Sequence, residues 1–233
     1  MPYRRLPNTD EARIRALKKA VEKGEHYNDY NELAISLKTL NEAKTFLARF
    51  EQAHGYYKQC FNNQISSSLK YQQTVKTARL YVSHFIQVLN LAVVRSEIKE
   101  EHKALYGLEL KDYAVPDLIN EPSIIDWGAK IMKGERERTR QGGAPIYNPA
   151  IAKVRVHYEI FKEGYDRQKH LQWTTTRSLE MLASLRDKAD KIILDTWNQV
   201  EKSFENLSGD ERMNECRNYG VVYYYRTGEK KPQ

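Results

Sequence analysis

Only two cysteines, Cys60 and Cys216, occur in the 233 residues. That number makes neither a disulfide framework nor a four-cysteine zinc site. No apolar run approaches the roughly 20 residues that span a bilayer as a helix. The opening Met1–Asn8 carries Arg4 and Arg5 but no apolar core behind them, so no secretory signal is expected there. A phosphate-binding loop is missing too, because Gly142-Gly143 has neither a strand before it nor a Lys-Ser/Thr pair after it. From these absences the expectation is a cytoplasmic protein without a membrane partner.

What is present is a globular balance, 40% hydrophobic and 30% charged. The net charge of +7 is unevenly spread. Residues 1–24 hold seven basic and three acidic groups, and residues 69–98 hold four basic groups against Glu97 alone. A focused field of this kind attracts phosphates or an acidic partner. The candidate nucleic-acid contacts are therefore Arg4, Arg5, Arg13, Lys18, Lys19, Lys70, Lys76 and Arg79. A solvated surface with a modest bias is the plainer reading of the same residues.

Hydrophobic spacing predicts a mainly α protein. A first helix starts at Asn8 or Thr9, carries Ile14, Leu17 and Val21, and stops at Gly24. Residues 25–35 then lose the period. From Ser36, Leu40, Ala43, Leu47, Phe50, His54, Tyr57 and Phe61 alternate at three and four. Asn62-Asn63 and Ser66-Ser67-Ser68 favour caps over helix interiors, which predicts a turn there. A second helix follows with Tyr71, Val75, Ala78, Val82, Phe85, Leu89 and Ala92. The same construction returns after Asn148-Pro149, a cap followed by proline at the first helical position. Ile151, Val154, Tyr158, Phe161 and Tyr165 form its first stripe. After a break expected at Thr174-Thr175-Thr176, Leu179, Leu182, Leu185, Ala189, Ile192, Ile193, Trp197, Val200 and Phe204 continue, and Ser208-Gly209 ends it. The expected fold is four long helices arranged as two hairpins (36–97 and 148–207) in one up-down bundle domain spanning 1–233. The remainder is an N-terminal helix and loop (1–35), a connector (98–147) and a C-terminal segment (208–233).

A shift of 111 residues superposes the hairpins in phase, setting Ala43 on Val154, Phe50 on Phe161 and Leu89 on Val200. A shift of 113 sets Tyr106-Gly107-Leu108 on Tyr219-Gly220-Val221. An internal duplication and a merely shared hydrophobic period both account for this. The connector should cross the bundle and cap one end. It holds a helical patch near Lys99–Leu105 and another begun by Pro122-Ser123, with Ile124, Trp127 and Ile131 as its apolar face. A two-stranded β ribbon is expected between Leu108–Val115 and Val221–Tyr225.

Reactive constellations are sparse. Glu51-Gln52-Ala53-His54 fits half of a di-iron helix pair, but Lys162 and Tyr165 stand where the second Glu-x-x-His should be. His54 then reads as a polar seam residue, with Tyr165 as its candidate partner. Cys60 reads as a small buried hydrophobe, and Cys216, in a polar stretch, as exposed. His84 and Asp195 form a conceivable cross-bundle pair that no nucleophile completes. Arg136, Arg138 and Arg140 alternate with Glu135 and Glu137, which reads as a solvated helix face. No catalytic, cofactor-binding or metal-ligating residue is assigned. Of the sixteen tyrosines, Tyr56, Tyr223, Tyr224 and Tyr225 are the candidate protein interface, since tyrosine offers apolar area and a hydrogen bond together.

Three strings carry a resemblance: Tyr3-Arg4-Arg5-Leu6-Pro7-Asn8-Thr9-Asp10, the run from Ala78 to Leu89, and Tyr219-Gly220-Val221-Val222-Tyr223. They resemble a family of helical proteins from Bacteroidota across the whole chain. The resemblance implies a bacterial cytoplasmic protein and brings no activity, cofactor or catalytic residue with it. Three functions stay in view: a non-enzymatic helical scaffold that binds another protein or a second copy of itself, a nucleic-acid-binding protein, and an enzyme whose site no short motif announces.

Overall fold

The computed structural model describes residues 3–26 and 33–225. The aperiodic stretch 25–35 therefore lies mostly outside the described residues. The described chain is mainly helical, with one small antiparallel ribbon. Its elements are β1 (Tyr3–Arg4), α1 (Asp10–Glu25), α2 (Leu37–Val94), a 3-10 helix (Glu100–Tyr106), α3 (Glu121–Arg140), α4 (Ile151–Ala183), α5 (Arg186–Ser203), α6 (Gly209–Asn218) and β2 (Tyr223–Tyr224).

Two expected turns are absent. Helix α2 runs unbroken for 58 residues through Asn62-Asn63 and Ser66-Ser67-Ser68. Helix α4 runs through Thr174-Thr175-Thr176, and the break comes at Ser184-Leu185 instead. The expected hairpins 36–97 and 148–207 are thus replaced by long continuous helices. Each Ser, Asn or Thr lowers helix stability by at most about 0.7 kcal/mol against alanine, which flanking helix and tertiary packing overcome. Thr174 relieves its own conflict by donating to the His170 carbonyl at 2.9 Å, one turn back. One stretch of α2 is long and apolar enough to cross a bilayer by length and composition, although 44% of it is buried within the protein.

Contacts divide the chain into two compact units, residues 1–61 with 175–233, and residues 62–174. The first unit packs α1, the start of α2, the end of α4, α5 and α6 around Leu17, Phe50, Ile193, Trp197, Val200 and Tyr219. The second packs the rest of α2, the 3-10 helix, α3 and the start of α4 around Val82, Phe85, Leu89, Tyr106, Ile131 and Phe161. The connector is therefore core material of the second unit rather than a cap.

The 111-residue shift matches helix caps and burial as well as hydrophobic phase. It lays α1 on α3 and carries the N-cap Thr9 onto the N-cap Asn120. Thr9 accepts from the Ala12 amide at 3.2 Å, and Asn120 from the Ser123 amide at 2.8 Å. Arg13, Leu17, Ala20 and Gly24 are buried, as are their counterparts Ile124, Gly128, Ile131 and Glu135. Along the long helices the buried pairs include Ala43 with Val154, Leu47 with Tyr158, Phe50 with Phe161, Val82 with Ile193 and Leu89 with Val200. Tyr106 and Tyr219 are both fully buried, and each precedes a glycine of positive φ, +71° at Gly107 and +88° at Gly220. Those conformations favour glycine, and each glycine sits close to a lysine of the matching helix: Gly107 by Lys130 of α3, Gly220 by Lys19 of α1. Each unit thus joins the first part of one 111-residue segment to the last part of the other.

The ribbon is real but differently made. Tyr223–Tyr224 pairs with Tyr3–Arg4, and the Arg5 amide donates to the Val222 carbonyl at 2.9 Å. The expected partner, Leu108–Val115, spends its carbonyls on side chains. Lys103 Nζ donates to the Leu110 and Asp112 carbonyls at 2.9 and 2.5 Å, and Asn90 donates to the Tyr113 carbonyl at 3.0 Å. After Asn148-Pro149 the helix begins at Ile151 rather than at the proline.

The alternating charges on α3 are another departure. Glu135 and Arg138 are buried, 1% and 2% exposed, and form an ion pair at 3.0 Å. They extend the stripe of Ile124, Gly128 and Ile131 by one more turn, so helical phase places them inward. Glu137 and Arg140 pair at 2.8 Å with Arg140 largely exposed, as a solvated face would.

Candidate functional site

The predicted basic residues separate into two groups. Arg4 donates to Asn198 at 2.8 Å and pairs with Glu201 at 3.4 Å. Arg13 is 9% exposed and grips Asp190 with two hydrogen bonds of 2.8 and 2.9 Å. Arg186 grips Asp10 in the same bidentate way, so the four residues tie α1 to α5. Arg79 donates to the Leu118 and Ile119 carbonyls at 2.9 and 2.8 Å and anchors the loop before α3. These cations hold the fold. Arg5, Lys18, Lys19, Lys70 and Lys76 are exposed, and none of them has an ion-pair partner among the described residues.

Arg5 and Lys19 line one cleft in the first unit with Arg15 and Arg217, which were not among the predicted residues. The cleft measures about 480 Å³ and lies between the segment after β1, helix α1 and the chain leaving α6. Its apolar wall includes Leu6, Ala16 and Val221, with the buried face of Trp197 behind.

The tyrosines are less alike than their clustering suggests. Tyr223 lines the cleft and donates to Glu201 at 2.7 Å. Burial, then its hydrogen bonds with Cys216 and Glu201, push its hydroxyl above the ordinary tyrosine range. Tyr224 packs against Tyr3 across the ribbon with the rings tilted by 39° and centroids 5.8 Å apart, and Tyr225 contacts the Met213 sulfur at 3.7 Å. Tyr56 remains half exposed on α2.

His54 faces Glu11 of α1, with Nε2 to Oε1 3.4 Å, which supplies a partner other than the expected Tyr165. Asp195 accepts from Thr39 and Gln199 at 3.2 and 2.8 Å, and His84 lines a small cleft with Leu80 and Tyr147. Cys60 is buried as expected. Cys216 is buried as well, contrary to the sequence reading, because Met213 and Cys216 form the inward edge of α6. Burial pushes its thiol upward. Both cysteines should therefore resist a thiol reagent in the native state and react fully in denaturant; rapid native labelling of Cys216 would place α6 wrongly. Among the described residues no three His, Cys, Asp or Glu side chains gather as metal ligands do.

A different surface stands out on α2 within the second unit. Leu69, Leu80 and Leu91 are 74%, 63% and 53% exposed, and Val94 is 63% exposed. Their eleven-residue spacing equals about three helical turns, so the leucines form one line. That line lies opposite the buried stripe of Val75, Val82 and Leu89. At the 111-residue shift the same positions hold Glu180, Lys191 and Lys202, all exposed. The equivalent helical positions therefore fold with charge there, and the leucines serve no common packing need.

No known protein family, curated protein or solved structure matches the chain.

Proposed function

We propose that the protein is a helical interaction module, which docks another protein or a second copy of itself along the Leu69-Leu80-Leu91 line. The observation that carries this reading is the contrast between three exposed leucines and their charged counterparts Glu180, Lys191 and Lys202. The leucines stand about 16 Å apart along the helix with Gln73, Lys76, His84 and Gln87 between them, so they offer three separate apolar anchors to a partner that spans the line. The reading includes an internal duplication: two copies of one segment keep a shared core pattern and differ on their outer faces. A bacterial cytoplasm is its setting. Nucleic acid is the second reading, favoured by the five unpaired cations Arg5, Lys18, Lys19, Lys70 and Lys76; binding through them should weaken steeply with salt.

The test is recovery of partners with the tagged full chain and with its Leu80→Glu/Leu91→Glu variant, in untreated and in nuclease-treated extract. The variant should fold with a stability change within about 0.5 kcal/mol, as exposed substitutions do. It should lose the partner, or the untagged copy, that the parent retains. Identical recovery by the two proteins would remove the leucine line as the docking surface. Partners lost on nuclease treatment alone would favour the nucleic-acid reading.

A further inference from the structure

A second difference between the matching segments lies in the basic cleft of the first unit, and it rests on residues unrelated to the leucine line. Four cations line the cleft, Arg5, Arg15, Lys19 and Arg217, and no acidic residue does. No carboxylate among the described residues pairs with Arg5, Arg15 or Lys19, and Arg217 meets only the Asn214 amide oxygen at 3.2 Å. Elsewhere in the same unit Arg4, Arg13 and Arg186 all hold carboxylates. The clustering therefore sets like charges along one cleft with no carboxylate among its lining residues to offset them.

The second unit supplies an internal control. At the 111-residue shift Lys19 becomes Lys130, Arg15 becomes Asp126 and Ala16 becomes Trp127; at the 113-residue shift Arg217 becomes Ala104. There Lys130 pairs with Asp126 at 2.7 Å and lies over the Trp127 ring, 4.4 Å from its centroid. The equivalent place is filled by an indole and neutralised by a carboxylate. The glycine next to it, Gly107, packs on Lys130 as Gly220 packs on Lys19. The backbone construction is shared while the charge and the space are not. Neither the cavity nor its cations are required by the packing of these helices.

We propose that this cleft binds a phosphate ester of nucleotide size. Three guanidinium groups and an ammonium converging from three segments suit a compact anion of two or more charges, and arginine forks match phosphate oxygens in pairs. The wall of Leu6, Ala16 and Val221 offers a resting surface for an apolar or aromatic body beside that anion. A volume of about 480 Å³ falls among those of small-molecule sites.

The experiment is calorimetric titration of the full chain at low salt with inorganic pyrophosphate and, separately, with ADP. Both should bind saturably, ADP more tightly because its base covers the apolar wall. Arg15→Ala and Lys19→Ala should each weaken ADP by about tenfold or more, the loss of one charge-assisted contact. Lys18→Ala, on the same helix but outside the cleft, should leave the affinity unchanged. Because Arg15 and Lys19 are exposed and unpaired, both variants should melt as the parent does. Should either melt lower, Arg217→Ala on α6 asks the same question from another segment. Absence of saturable binding by both ligands would overturn the proposal, as would equal weakening by Lys18→Ala. So would tight binding of an unphosphorylated single-stranded oligonucleotide that ADP fails to displace, which would assign the cleft to a nucleic-acid strand.

Discussion

Replacing Arg138 with alanine is expected to destabilise the protein by about 3–5 kcal/mol, the cost of leaving a buried charge without its partner. Arg138 is 2% exposed and Glu135 1% exposed. The guanidinium donates to Glu135 and to the Ala144 carbonyl at 2.8 Å, and its Nε donates to the Tyr106 hydroxyl at 2.7 Å. Glu135 also accepts the Tyr106 hydroxyl and the Ile146 amide, the latter at 2.9 Å. One residue thus ties the end of the 3-10 helix, helix α3 and the loop before α4 together. Burial is the largest influence on the Tyr106 hydroxyl, and its bond to Glu135 adds to it; both push it above the tyrosine range. The double variant Glu135→Leu/Arg138→Leu leaves no unpaired buried charge and should lose less than either single change, its remaining loss coming from the Tyr106 hydroxyl, the Ile146 amide and the Ala144 carbonyl left without these partners. Chemical denaturation of Arg138→Ala, Glu135→Leu and the double variant measures this. A small loss for Arg138→Ala alone would show the pair to be hydrated.

Phe50→Ala and Phe161→Ala should each cost about 3–5 kcal/mol, as truncation of a fully buried phenylalanine does. Both rings are 0% exposed and occupy matching positions of the two segments. Phe50 stacks on Phe46 with centroids 5.9 Å apart, and Phe161 on Tyr71 at 6.3 Å. Because the residues belong to different units, each variant should also lower the protection of its own unit more than that of the other in hydrogen exchange. Near-neutral melting shifts for both would contradict the assigned cores.

Hydrophobic phase was the most legible layer of this sequence. The stripes through Leu40, Ala43, Leu47 and Phe50, and through Val154, Tyr158 and Phe161, are buried as spaced, whereas Phe61 and Leu179, expected on the same stripes, are 44% and 37% exposed. The cap at Thr9 and the start of α3 near Pro122-Ser123 were equally readable, because capping is local chemistry. Chain reversals were not. Asn62-Asn63, the three serines at 66–68 and the threonines at 174–176 are weak helix formers, and weak propensity yields when a helix is held on both sides. Glu135 and Arg138 were misread because charge alternation along the chain hides an i,i+3 pair that continues an apolar stripe. The ribbon forms with β1 rather than with Leu108–Val115, whose carbonyls near Leu110 are already occupied by side chains.

The candidate surfaces followed the same division. The basic set at the N-terminus was visible in composition, yet Arg4 and Arg13 spend their charge internally and Arg15 and Arg217 complete the cleft instead. The leucine line is invisible from the inward positions, which keep the same apolar pattern at the 111-residue shift. The outward positions carried the signal: Leu69, Leu80 and Leu91 against Glu180, Lys191 and Lys202.

The most direct test of the interaction reading is site-specific photo-cross-linking in the native cell, with a photoreactive amino acid placed at position 80, at position 91 and, as an off-line control, at exposed position 70. The account predicts one discrete adduct, to a partner protein or a second copy, from positions 80 and 91 and not from 70. Equal adducts from all three positions, none from any, or adducts to lipid alone would contradict it.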